Sequence, residues 1–371
     1  MITEVKLSNF RGFRSFTAQG IRRINLLVGI NNSGKTSVLE ALLLLYSGGD
    51  PMAIWSSMSR RGEQIFEEER PRHRVELDIA HLFYGHELGL HVGFRLEVKE
   101  GEGVRWLSYK VAEKTAEEQP RLLFPLEEAG DLRLGRMALC LDGDPKPAPK
   151  AFPLSARGGL LPDVIERLPR PEGPMFAGPP IQFIPSGSVS SGFVVRAWRD
   201  VALRPEQNDI VKALRILEPR LEDITVIGAE RHVYGPSLDR AGVIVKCSGS
   251  SVPVPIGSLG EGMWRMLALA MGLARARGGF LLIDEIDTGF HYTVMADMWR
   301  MVAETAEKLG VQVFATTHSG DCVASLAAIC RRRPHGAEEV SILRIDRQSG
   351  EATSFTEAEI IQAAENRIEI R

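Results

Sequence analysis

No feature restricts the fold of this chain more than Gly29-Ile30-Asn31-Asn32-Ser33-Gly34-Lys35-Thr36, which fits the pattern G-x-x-x-x-G-K-[ST]. It follows the apolar run Ile24-Asn25-Leu26-Leu27-Val28 and opens the periodic stretch Ser37 to Leu45. A strand that passes through a glycine-rich turn into a helix N-terminus presents backbone N–H groups to a polyanion. In that context the segment reads as a phosphate-binding loop, with Lys35 reaching the outer phosphates and Thr36 available to Mg²⁺. Gly29, Asn31, Asn32, Ser33, Gly34, Lys35, Thr36 and Ser37 are the candidate nucleotide-binding residues.

The second decisive segment is Phe280-Leu281-Leu282-Ile283-Asp284-Glu285, four apolar residues that end in two acids. Asp284 at the strand tip is placed to hold the magnesium shell, and Glu285 to orient or deprotonate an attacking water. A third strand, Phe314-Ala315-Thr316-Thr317-His318-Ser319, ends in a histidine where open parallel sheets bind their ligands. The candidate catalytic residues are therefore Glu285, His318 and Lys35, and the candidate metal ligands Thr36 and Asp284.

Around these segments the pattern implies strands near Glu4-Val5-Lys6-Leu7 and Ser15-Phe16-Thr17-Ala18, and a loop rich in Gly, Pro, Ser and charge from Ser47 to about Arg74. Alternating runs at residues 75–79, 91–98 and 104–111 predict an antiparallel, β-rich region with one wet face. Pro145 to Pro180 reads as a loosely packed excursion or linker. From about Pro205 the chain turns regular, with helices near 208–217, 261–277 and 294–309 around all-apolar strands, the signature of a parallel sheet covered on both faces. The predicted class is α/β: a P-loop nucleotide-binding fold with a mixed and parallel sheet flanked by helices, plus an antiparallel β-rich subdomain.

Taken in order, these segments resemble the ABC-type ATPases, and their wording is similar to the branch holding SMC, RecF-like and OLD (overcoming lysogenization defect) proteins. Leu7-Ser8-Asn9-Phe10-Arg11-Gly12-Phe13 resembles that branch's first strand and turn, and Asp284-Glu285-Ile286-Asp287-Thr288-Gly289-Phe290-His291 its acidic strand and dimer-contact loop. The resemblance implies a single ABC-type head over 1–371, with residues 1–46 and 205–371 as the nucleotide-binding core and 75–204 as an inserted subdomain. It implies ATP and Mg²⁺, Arg11 near the nucleotide, and an ATPase whose ATP-bound form is a homodimer. In such a dimer Leu259-Gly260-Glu261-Gly262, at a helix start, would complete the partner's site. The usual signature serine falls on Gly260; either Ser258 replaces it or the backbone N–H groups suffice. Ser258, Gly260, Gly262 and Asp287 are the expected contacts across the dimer. The glutamine that ABC-type proteins place on Mg²⁺ has three candidates for its place: Gln64, Gln182 and His81.

By the same resemblance the expected role is motor or sensor in DNA repair or antiphage defence, acting with a separate effector such as a nuclease. Rival readings are a nucleotide-gated scaffold with slow hydrolysis and a DNA-cleaving nuclease. About forty residues follow Cys330, too few for the TOPRIM nuclease module of OLD proteins, so a short OLD-like ATPase without it is expected. Asp142-Gly143-Asp144, which could mimic an acid pair of that module, reads instead as a hairpin turn. Arg331-Arg332-Arg333-Pro334 reads as a solvated helix end rather than a phosphate patch. A net charge of −3 gives no global attraction to nucleic acid, and leaves that partner open. The four cysteines form no C-x-x-C pair, the longest apolar run is too short for a membrane span, and the N-terminus lacks a signal-peptide pattern. A cytoplasmic protein with no membrane partner is expected.

Overall fold

In the computed structural model the apolar runs become strands and the 3.6-residue patterns become helices. The structure describes residues 1–66, 75–113, 134–146, 151–167, 178–187, 189, 191–202, 204, 206–226, 242–250, 252–332 and 338–370. In chain order the strands are β1 (Ile2–Phe10), β2 (Phe13–Gln19), β3 (Ile24–Val28), β4 (Gln64–Phe66), β5 (Val75–Leu77), β6 (Gly93–Glu100), β7 (Gly103–Glu113), β8 (Leu134–Asp144), β9 (Ala151–Ser155), β10 (Ile181–Ile184), β11 (Leu221–Val226), β12 (Val243–Cys247), β13 (Val254–Pro255), β14 (Phe280–Ile283), β15 (Gln312–Thr316), β16 (Val340–Asp346) and β17 (Glu351–Phe355). The helices are α1 (Lys35–Tyr46), α2 (Pro51–Arg61), α3 (Pro162–Arg167), α4 (Ser191–Val201), α5 (Glu206–Arg215), α6 (Glu261–Arg275), α7 (Tyr292–Leu309), α8 (Gly320–Cys330) and α9 (Glu357–Glu365). The fold class is α/β, as the strand and helix patterns predict.

The chain packs as two compact units. One comprises Met1–Gln19, Thr36–Gly178 and Ile345–Thr353, the other Gly20–Lys35, Pro179–Arg344 and Ser354–Arg371. The second unit holds an all-parallel set in the order β10-β14-β15-β3-β16. Every residue of β3, β14 and β15 is buried, the polar Asn25, Gln312 and Thr316 included, as expected of parallel strands covered on both faces. Trp264 of α6 and Trp299 of α7 are fully buried there, and each indole N–H finds a backbone carbonyl, Val189 O at 2.9 Å and Cys322 O at 3.2 Å. A small antiparallel sheet, β11-β12-β13, completes this unit.

In the first unit β2, β1, β6, β7, β8 and β9 pair antiparallel in that order. β6 alternates buried and partly exposed residues, as its sequence pattern predicts for a sheet with one wet face. Met1–Gln19 and the chain from Thr36 to Tyr46, placed in the nucleotide-binding core by the sequence reading, pack within this first unit.

Three local expectations are corrected. The stretch drawn as a loop from Ser47 contains α2, started by Asp50, whose side chain accepts from Met52 N, and by Pro51 at the first position; Gly62 ends it at φ +69°. The excursion drawn from Pro145 to Pro180 contains β9 and α3, with Phe152, Leu154, Leu160 and Val164 fully buried. Asp142 and Gly143 lie inside β8, opposite Ser108 and Leu107, and not in a turn, because the ladder to β7 runs on to Asp144. Arg331 and Arg332 follow the end of α8; Arg333 and Pro334 lie outside the described residues.

Candidate functional site

In the second unit the three motifs stand at the C-terminal ends of adjacent strands. β3 delivers the glycine loop, its neighbour β15 delivers Thr317 and His318, and β14, on the other side of β15, delivers Asp284 and Glu285. The carboxyl edge of a parallel sheet is where such folds bind ligands, since helix N-termini and loops converge there.

The loop is shaped by left-handed backbone at Asn32 (φ +63°) and Gly34 (φ +101°), with Ser33 N donating to Ile30 O at 3.2 Å. At Gly34 a Cβ would be strained, so glycine is required by the turn itself. Lys35 Nζ lies across the loop and donates to Gly29 O at 2.8 Å and Ile30 O at 3.0 Å. Burial pulls the Lys35 ammonium below the ordinary lysine value, while the charges of Asp284 and Glu285 oppose the shift. The Ser33 hydroxyl is buried and has no hydrogen-bond partner among the described residues, so a polar acceptor or donor at the loop would satisfy it. Asn31 and Asn32 are exposed. Thr36 and Ser37 form the first turn of α1, and Ser37 Oγ accepts from Arg61 Nη2 at 3.4 Å.

The acidic strand end is organised by a residue that the sequence reading passed over. Thr316, the last residue of β15, donates from Oγ1 to Asp284 Oδ1 at 2.8 Å and accepts from Glu285 N at the same distance. Glu285 is itself left-handed, at φ +49°. Its carboxylate lies 3.7 Å from His318 Nδ1 and 3.5 Å from Thr288 Oγ1, so the expected base and the expected phosphate sensor are brought side by side. Arg265, also passed over, is buried on α6 and donates to the carbonyls of Pro185, Asp284 and Glu285. Burial lowers its pKa to about 10. A hydroxyl at the end of a strand and an arginine within an apolar helix were the available signals for these two.

The residues expected to act across a dimer sit as follows. Asp287 Oδ1 accepts from Thr317 Oγ1 at 2.6 Å within the same chain. Ser258 is exposed on a 3₁₀ turn, Ile256–Leu259. Gly260 caps α6 at φ +97° with no side-chain cap. At Gly262 an added Cβ would stand 3.0 Å from Gly289 O, so the helix start packs directly on the loop after the acidic strand.

Arg11 belongs to the other unit and is nearly fully buried. Its Nε lies 2.9 Å from Glu40 Oε2 and its Nη1 2.6 Å from Glu63 Oε1, while Nη2 donates to Ser57 Oγ at 3.3 Å. Arg61 holds the second oxygen of Glu40. The Arg11 charge thus faces two carboxylates of its own unit. Of the three glutamine-position candidates, Gln182 turns its amide onto Ile181 O, Gln64 onto Ser59 Oγ, and His81 pairs with Asp78 and His86.

Among the described residues no group of three or more His, Cys, Asp or Glu could hold a metal ion, and no helix is long and apolar enough to cross a membrane. Hydroxyl and carboxylate oxygens are hard donors of the kind that would suit Mg²⁺.

Residues 1–114 match the family model described as an AAA ATPase domain, and residues 205–321 the one described as an AAA domain, putative AbiEii toxin, Type IV TA system. Each match covers about a third of the chain, with residues 115–204 between them. It is 35% identical over 60 residues to an uncharacterized protein of Methanocaldococcus jannaschii, covering 16% of this chain and 27% of that one. It is 40% identical over 45 residues to an ATP/GTP phosphatase of Helicobacter pylori, covering 12% of each. The matches therefore span about a quarter and about an eighth of these curated relatives. An SMC head solved bound to the C-winged helix domain of ScpA is similar at 13% identity and a TM-score of 0.49, over 96% of this chain and 97% of that one.

Proposed function

We propose that this chain binds ATP at Gly29 to Ser37 and hydrolyses it with Glu285 as general base. The observation that carries the reading is the convergence of Lys35, Asp284, Glu285 and His318 at the ends of three adjacent strands, with Lys35 in the field of both acids. The loop N–H groups and Lys35 hold the β- and γ-phosphates. Glu285 takes a proton from water as its oxygen bonds to the γ-phosphorus, and the bond from that phosphorus to the bridging oxygen breaks to leave ADP and phosphate. His318 senses the γ-phosphate beside Glu285. Thr36 and Asp284 would hold Mg²⁺, which would neutralise phosphate charge.

ATP binding stabilises a head-to-head homodimer in this reading, with Ser258, Gly260, Gly262 and Asp287 of one copy completing the pocket of the other. The start of α6 at Gly260 has no side-chain cap, so its N–H groups can be offered to a phosphate, which supports this reading. The resemblance of the motifs to RecF-like and OLD proteins supports, in this reading, a place in DNA repair or antiphage defence beside a separate effector, such as a nuclease, with nucleic acid as a further partner. The test is the solution mass of Glu285→Gln with and without ATP-Mg²⁺. The mass doubles when ATP is present; ATP bound without any change of mass removes the dimer, and no ATP bound removes the whole reading.

A further inference from the structure

Glu285 occupies a backbone conformation that a residue with a Cβ seldom adopts: φ is +49°, in the left-handed region. Something must hold it there. On the amino side, its N–H is fixed by Thr316 Oγ1 at 2.8 Å. On the carbonyl side, the fixing group is Arg265, reaching from the second turn of α6. Its Nη2 donates to Asp284 O at 2.7 Å and to Glu285 O at 2.9 Å, and its Nη1 to Pro185 O at 2.5 Å. The guanidinium is only 4% exposed, and its Nε has no hydrogen-bond partner among the described residues. A buried guanidinium on an apolar helix is costly, and a methionine would fill the same space more cheaply unless the carbonyls it serves need donors. Glu285 O also accepts from Thr288 N at 3.1 Å in the turn that follows, and the planar fork of arginine ties that carbonyl to Asp284 O through one nitrogen while the other serves Pro185.

We propose that Arg265 is a positioning residue for Glu285. By pinning the two carbonyls it sets the peptide from which the Glu285 carboxylate is aimed toward His318, without itself touching the reacting atoms. The proposal rests on the reading of Glu285 as the base.

The test measures kcat, KM and ATP affinity for Arg265→Met, Arg265→Lys and Glu285→Gln, and for Arg265→Met combined with Glu285→Gln. A displacement of the base by about 1 Å lowers kcat by roughly 100-fold, so Arg265→Met is expected to lose about that much while KM and ATP affinity stay within about threefold. Arg265→Lys, which keeps charge and stem but not the fork, is expected to lose roughly tenfold, and it carries the comparison if the methionine variant does not fold. The combined variant is expected to be no slower than Glu285→Gln alone, because a base that is absent cannot be mispositioned. Full kcat in folded Arg265→Met or in Arg265→Lys, a parallel loss of ATP affinity, or an additive loss in the combined variant overturns the proposal. If Glu285→Gln keeps wild-type turnover, the reading of Glu285 as base has failed instead, and the role of Arg265 falls with it.

Discussion

Arg11 is a side chain whose local sequence points to a ligand while the fold surrounds it with carboxylates. Its place in Asn9-Phe10-Arg11 suggests a nucleotide contact, yet Glu40 and Glu63 absorb the charge, at 2.9 and 2.6 Å. Glu40 is almost wholly buried, so deleting Arg11 leaves a buried carboxylate answered by Arg61 alone. Breaking one partner out of a buried pair costs about 3–5 kcal/mol. Arg11→Met is therefore expected to lose about 3 kcal/mol in urea unfolding while ATP affinity, read by titration of the folded protein, stays unchanged. A stable variant that no longer binds ATP would return Arg11 to the nucleotide. What local sequence could not tell was the identity of the anion: Glu40 and Glu63 lie in other elements, and only folding brings them to Arg11.

At the scale of elements, helices that were legible and two that were passed over, α2 and α9, had equally local signals. α6 and α7 were read from long apolar periodicity, which packing against a sheet demands. α2 hid inside a charged, serine-rich stretch, although Asp50, Pro51 and Gly62 mark its start and stop. α9 likewise begins with a capping box, Thr356 and Glu359 each bonding the other's backbone. Removing an N-cap hydroxyl costs about 1 kcal/mol, so Thr356→Ala is expected to lower unfolding stability by about that amount and Thr356→Asp to keep it. Equal loss in both variants would mean that burial of Ile360 and Ala363, rather than the cap, holds the helix. The glycine loop was readable for the same reason as the caps, since strand, turn and helix start are contiguous in the chain.

For the whole molecule, the consequence of a phosphate site is a stability that depends on nucleotide. A ligand that binds only the native state adds about 2.7 kcal/mol at 100 times its Kd. ATP-Mg²⁺ at that excess is expected to raise the unfolding midpoint of the wild-type chain and to leave Lys35→Ala unmoved, as followed by thermal or urea melting. A matching rise in Lys35→Ala would mean that the nucleotide binds elsewhere. From the amino-acid order alone came the phosphate loop, the acidic strand end, the histidine after β15 and the α/β class, because each is written within a few consecutive residues or in one period of apolar spacing. Tertiary structure decided which strands stand side by side, that Thr316 bridges Asp284 and Glu285, that Arg265 grips their carbonyls, and that Arg11 answers to carboxylates. Those pairings join residues far apart in the chain, and their energy comes from donors and acceptors buried together, which no local pattern records.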